Sequence, residues 1–288
     1  MVKVETSFCR PDELAAVHKH MNLEFIYSRG RTIDVQHRFP DILNNPQNIL
    51  IRRINGEIIS ALALKRFIWE TPEEQYSAAM IGLVSTIPSM RDRGHAAAVL
   101  SSARFQLILE QRDFAVLWTT QPKVYSRQGW VAADCGRYGV LSGHTHNAHD
   151  NPINQDSIAR IQEIRKAFAP MRIYRDNTGE FPMPLPATRL RLLMEAEAYA
   201  IIGLNQDNAY VFDIVGTTHS LQRLWSRLSR SGMNIHVNIP DSSPMYEFVN
   251  QVLHTTLPSK PLAMWLPLSE RAKNLDYAAI YIPLLDRI

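Results

Sequence analysis

Arg91-Asp92-Arg93-Gly94-His95-Ala96 lies between an apolar run, Ala78 to Ile87, and a segment, Ala97 to Leu109, with helical periodicity. The run predicts a strand. The segment predicts a helix, because Ala96, Leu100, Ala103 and Leu107 recur at intervals of three and four. The hexapeptide is then a strand-to-helix turn whose first amide N–H groups have no intrahelical partner and sit at the positive end of the helix dipole. Such a corner suits a phosphate. Gly94 permits close backbone approach, small Ala96 keeps the helix entry uncrowded, and Arg91 adds a permanent charge.

An arginine, two spacers, a glycine, one spacer and a small residue after a strand resembles the pyrophosphate signature of the GCN5-related N-acetyltransferases (GNAT). A second motif follows one helix and one strand later. In Tyr125-Ser126-Arg127-Gln128-Gly129-Trp130 a tyrosine precedes a glycine-aromatic pair, as in that family, with Trp130 in the aromatic place. Ile81 to Val140 is most similar to the first domain of the enhanced-intracellular-survival type, in which an acetyltransferase domain is followed by a degenerate copy of itself.

The resemblance implies an α/β (α+β) fold of two tandem GNAT-like domains, 1–150 and 151–288, each a mixed, mostly antiparallel twisted sheet flanked by helices. It implies acetyl-coenzyme A as co-substrate, gripped by Arg91, Asp92, Arg93, Gly94, His95, Ala96 and Ala97. The pantetheine arm would pair with Val84, Ser85 and Thr86 on one strand and with Thr120 and Gln121 at the end of the next, Asp113 to Thr120. Thr120 equally suits capping of its own strand end. The oxyanion falls to a strand N–H, at Thr86, and Tyr125 takes the general-acid position, where a phenol with an ordinary pKa near 10 can protonate the leaving thiolate.

The general base stays open. No carboxylate lies between Tyr76 and Ile87, where many relatives carry a glutamate. The sequence stops at Ile288, before the sterol-carrier-like third domain whose terminal carboxylate is the base in the resembling family. The Ile288 carboxylate, Glu74 and a water chain are the candidates. The implied reaction is acetyl transfer to a primary amine by direct attack. The alternatives are an inactive acyl-coenzyme A-binding module and transfer of a longer acyl chain.

The remaining chain supplies the frame. Pro11-Asp12-Glu13 opens a helix carrying Leu14, Val17, Met21 and Phe25, along which His18 and His20 point to different faces as solvated side chains. Asn55-Gly56 between Ile49–Arg53 and Glu57–Leu64 predicts a hairpin, followed by a loop from Arg66 to Gln75. In the second half, Ser157 to Phe168 predicts a helix with Ile158, Ile161, Ile164 and Phe168 on one side, and Pro182 to Pro186 a break. Ala198–Gly203 and Ala209–Gly216 predict a strand pair. A helix capped by Thr218 then has Leu221, Leu224, Trp225 and Leu228 on one face, a solvated row of Arg223, Arg227 and Arg230 on the other, and Gly232 at its end. Strands at 234–239, 262–266 and 277–284 and a helix at 243–253 complete the order. The turn after Gly216 has neither arginine nor glycine, so no pyrophosphate is expected there.

A net charge of +3 without Lys/Arg blocks argues against a nucleic-acid partner. No run approaches the twenty apolar residues of a membrane span, and the first residues lack a signal-peptide core. Two cysteines are too few for a disulfide framework or a thiolate metal site, so no metal and a cytoplasmic location are expected. A homo-oligomer is compatible with all of this.

Overall fold

The computed structural model describes residues 2–142, 153–169, 171–173, 189–228, 233–251 and 253–288. Its strands are β1 (Val4–Phe8), β2 (Ile49–Ile54), β3 (Glu57–Glu70), β4 (Gln75–Thr86), β5 (Phe114–Trp118), β6 (Val131–Ala132), β7 (Gly136–Ser142), β8 (Arg172–Ile173), β9 (Arg189–Glu195), β10 (Ala198–Asn205), β11 (Asn208–Gly216), β12 (Asn234–Pro240) and β13 (Ala263–Pro267). The helices are α1 (Leu14–Phe25), α2 (Val35–Arg38), α3 (Pro40–Leu43), α4 (His95–Leu109), α5 (Pro122–Ser126), α6 (Gln155–Phe168), α7 (Thr218–Leu228) and α8 (Pro244–Gln251). One sheet runs β1-β2-β3-β4-β5-β13-β6 with β8 beside β3, and the other β7-β12-β11-β10-β9.

The β2–β3 hairpin turns at Asn55 (φ 51°) and Gly56 (φ 89°), the left-handed pair that an Asn-Gly turn requires. Strand β3 then continues to Glu70, through the loop expected from Arg66. The polar outer face obscured a strand alternation: Phe67 and Trp69 are buried, while Arg66 reaches Glu110 at 2.6 Å and Arg172 reaches Glu70 at 3.1 Å. Helix α4 buries Val99, Leu100, Ala103 and Leu107 on one face of the first sheet. Helices α1 to α3 cover part of the other face with Val17, Met21, Val35, Phe39 and Leu43.

Each sheet has the same parallel pairing at its centre. Ala78–Met80 of β4 face Phe114–Val116 of β5, and Asn208–Tyr210 of β11 face Asn234–His236 of β12. Helix α6 buries Ile161 and Ile164 on one side of the second sheet, and α7 buries Leu221, Leu224, Trp225 and Leu228 on the other. Phe168, expected on the apolar side of α6, is exposed.

The sheets exchange strands across residue 150. Strand β7 precedes that point and pairs with β12, whereas β13 follows it and pairs along β5 from Ala263–Trp118 to Pro267–Phe114. The strand expected over 277–284 is absent. Tyr277, Ile280 and Ile282 instead bury themselves individually in the cluster around Phe114 and Trp265, and Pro283, which has no N–H to donate to a ladder, leads into the short turn Leu284–Asp286. Helix α7 is preceded by Thr217, whose hydroxyl accepts from the Ser220 N–H at 3.5 Å, so the capping side chain is Thr217 and not Thr218. Arg223 and Arg227 are not simply solvated, since both pair with Glu195 (3.4 and 3.1 Å). Pro182 to Pro186, Arg230 and Gly232 lie outside the described residues.

Candidate active site

Strands β4 and β5 pair over only three residues and then part. Two features open them. Opposite Leu62 the β3–β4 register slips between Ala61–Ser85 and Ala63–Gly82, and Leu83 takes φ 52° at that bulge. The end of β5 turns to pair with β13. Beyond Met80 the outer edge of β4 therefore has no strand partner, and a cleft of about 1220 Å³ runs through the gap.

The cleft brings the sequence-predicted residues together. Val84, Ser85 and Thr86 form its β4 wall, and Thr120 and Gln121 lie across from them. Arg91, Asp92, Gly94, His95, Ala96, Ala97, Tyr125 and Ile288 line it as well. Arg93 is exposed and does not line the cleft.

Gly94 (φ 78°) precedes α4, whose ladder begins with Ala98 N–H to the Gly94 carbonyl at 3.0 Å. The amides of His95, Ala96 and Ala97 therefore lie ahead of the ladder, and a Cβ built on Gly94 would meet nothing within 4 Å. This is an open, amide-lined corner at the N-terminus of a fifteen-residue helix, and it fits a pyrophosphate. Arg91 donates to the Thr86 carbonyl (3.2 Å) and pairs with Glu24 (2.6 Å). His95 Nδ1 accepts from Arg52 (3.2 Å). Burial, followed by the charges of Arg52 and Arg93, holds this imidazole below its ordinary value of 6.5, so it is neutral at pH 7.

Tyr125 sits on α5, its ring edge-on to Trp130 at 6.3 Å between centroids. Burial raises its pKa above 10 against an opposing hydrogen bond from Thr119, so the phenol keeps its proton at neutral pH. Trp130 itself is buried core.

Ile288 lies over the central strand. A Cβ built on Gly82 would come within 2.6 Å of the Ile288 side chain and 2.8 Å of its main-chain carbonyl, so only glycine admits that residue. Glu74, the other carboxylate considered as base, is not at the cleft. It bonds the Tyr76 hydroxyl and Arg271 (3.4 Å), and ten strand residues put it about 30 Å from Val84.

The two α1 histidines are not solvated. His18 Nε2 bonds the Leu43 carbonyl at 2.8 Å, and His20 Nε2 bonds the hydroxyl of Ser85, a cleft residue, at 2.8 Å. Burial lowers the His20 pKa; Glu24 and the Ser85 contact oppose that shift, and Arg91 adds to it. Residues missed from sequence are Phe25, Arg29, Phe39, Leu83, Trp118 and Arg287, all of which line the cleft. They come from five separate segments, and no local pattern marks them.

Residues 6–133 match the family model of the acetyltransferase (GNAT) domain. This part of the chain is a GNAT domain. No curated protein matches the chain by sequence. Among solved structures, a GCN5-related N-acetyltransferase from Kribbella flavida aligns over 94% of this chain and 72% of its own, at 12% identity and TM-score 0.69. Eis1 from Mycobacterium abscessus aligns over 92% and 74%, at 12% identity and TM-score 0.64. A putative acetyltransferase from Pyrococcus horikoshii aligns over 98% and 95%, at 14% identity and TM-score 0.63. These likenesses span both sheets, so the fold is that of tandem GNAT-like units. Among the described residues no helix is long and apolar enough to cross a membrane, and no group of three or more His, Cys, Asp or Glu could hold a metal ion.

Proposed function

We propose that the protein is an N-acetyltransferase of the enhanced-intracellular-survival type that moves the acetyl group of acetyl-coenzyme A directly to a primary amine. The observation that carries this reading is one continuous cleft from the amide corner at Gly94, through the β4–β5 gap, to the protonated phenol of Tyr125.

The α4 amides, with Arg91, receive the pyrophosphate, and the pantetheine arm runs between the β4 edge at Val84, Ser85 and Thr86 and the segment at Thr120 and Gln121. Holding thioester and amine together supplies several kcal/mol of the acceleration. The amine nitrogen attacks the thioester carbon, the N–C bond forms, and a β4 N–H at Thr86 meets the developing oxyanion. The C–S bond then breaks and Tyr125 gives its proton to the sulfur. A free amine with an ordinary pKa near 10.4 must also lose a proton. A water chain along the cleft wall at Gly82 and Ile288 is proposed to take it. The 151–288 unit contributes the acceptor side of the pocket through Leu284, Arg287 and Ile288.

Calorimetry with acetyl-coenzyme A followed by thiol release across an amine panel tests the reading. Absence of binding at millimolar cofactor removes it, and binding without amine-dependent thiol release replaces it by an inactive acyl-coenzyme A module.

A further inference from the structure

The two ends of the cleft differ in chemistry. Tyr125 and Leu117 belong to the α4 side of the sheet, whereas Leu83 and Phe39 pack with the α1–α3 layer and Trp118 with the C-terminal segment on the opposite side. An acyl group threaded between β4 and β5 from the amide corner emerges on that opposite side, where the acceptor must wait. There the walls are Phe25, Phe39, Leu83, Trp118 and Leu284, a surface of aromatic and aliphatic groups.

The charged side chains on that side are Arg29 and Arg287 against Glu24. Arg91 and Asp92 belong to the phosphate corner, and Glu24 is already bonded to Arg91 at 2.6 Å. The Arg29 guanidinium lies over the Phe25 ring at 5.6 Å. That of Arg287 lies over Trp118 at 4.6 Å and is fixed by the Ile282 carbonyl (2.6 Å) and the Tyr138 hydroxyl (3.2 Å). A polyamine or aminosugar would bring its additional ammonium groups against these guanidiniums, and like charges brought together disfavour binding. A ring or branched hydrocarbon body gains by covering the same walls.

We infer that the acceptor is a primary monoamine carried on an aromatic or similarly large apolar body, and that the aromatic walls with Arg29 and Arg287 select against polycations. This rests on the transferase reading. The test is thiol release at saturating acetyl-coenzyme A with phenethylamine and tryptamine against spermidine and kanamycin, for the wild type and for Arg29→Glu. In the wild type the arylalkylamines should show kcat/KM at least about tenfold above the polycations, and Arg29→Glu should narrow that ratio about tenfold by raising spermidine turnover. Polycations turned over as well as or better than arylalkylamines overturn the inference while leaving acetyl transfer intact, as does a ratio unmoved by Arg29→Glu. Thiol release with neither class, in protein that binds the cofactor, overturns the transferase reading and this inference with it.

Discussion

The two units of this chain build the same corner and finish it differently. In the first, β4 gives way to α4 through Gly94, with open space where a Cβ would stand. In the second, β11 gives way to α7 through Gly216 (φ 154°), where a Cβ would fall 2.3 Å from Ala198 and 2.4 Å from the Glu197 carbonyl. Thr217 caps the second helix, and the Glu197 carboxylate stands 3.3 Å from its hydroxyl. One corner offers bare amides to an anion, and the other is filled and carries a negative charge of its own. The strand gaps diverge in the same way. Beside β4 lies a cleft, whereas beside β11 the buried Arg165 pairs with Asp213 (3.0 Å), which also accepts from Tyr199 (2.7 Å), and Leu285 fills the cluster around them. A glycine turn after a strand is therefore insufficient to mark a phosphate site. The space around it decides.

Paired substitutions at the corners should show the largest contrast. Gly94→Glu places a carboxylate at the phosphate corner in a left-handed conformation, and acetyl-coenzyme A affinity by calorimetry should fall more than about a hundredfold with a modest loss of Tm. Gly216→Ala should do the reverse: a Tm drop of several degrees from overpacking, worth about 1–3 kcal/mol, and little change in affinity where the protein stays folded. Equal responses would erase the distinction. Next, Tyr125→Phe should lower kcat about a hundredfold or more with unchanged cofactor Kd, separating the acid from the grip. Unchanged kcat removes Tyr125 from the chemistry.

A smaller effect concerns acid stability of the first unit. The Arg66 hydrogen bond, with help from Gln106 and Arg112 and against burial, holds Glu110 down to about 2 from its ordinary 4.5. Because the folded-state value is depressed, this contribution is complete above about pH 4.5 and is lost as pH falls toward about 2. Glu110→Gln should flatten the fall of the urea midpoint across that window, and an unaltered slope would rule the pair out. The smallest effect is expected at His20. His20→Phe removes one hydrogen bond to Ser85, worth about 1 kcal/mol, so kcat/KM should fall about fivefold with Tm nearly unchanged. A hundredfold loss would instead make the imidazole part of the proton path.

Much of the corner was legible in advance because it is local: a strand, a glycine turn and a helix carry their own periodicity and punctuation. The Asn55-Gly56 hairpin and the α7 apolar face were readable for the same reason. The bulge at Leu83 was not, since a leucine in left-handed conformation has no signal of its own and follows from the strands on either side. Nor was Ile288 over Gly82, a contact between residues far apart in the chain. The apolar stretch at 262–266 reads as a strand but does not say which sheet receives it, and the stretch at 277–284 scatters its apolar residues into a core that only the folded chain supplies. His20 looked solvated because its partner, Ser85, lies on a strand sixty-five residues away.

The reciprocal lending of β7 and β13 has a consequence for how such a chain can be made. While residues up to about 260 are the only ones outside the ribosome, Phe114–Trp118 has no neighbour on one side, and its backbone amides and carbonyls form a bare, apolar edge. The first half therefore cannot mature before the other half has been synthesised, and cutting the gene between the two halves should yield fragments that aggregate apart and recover only when co-expressed.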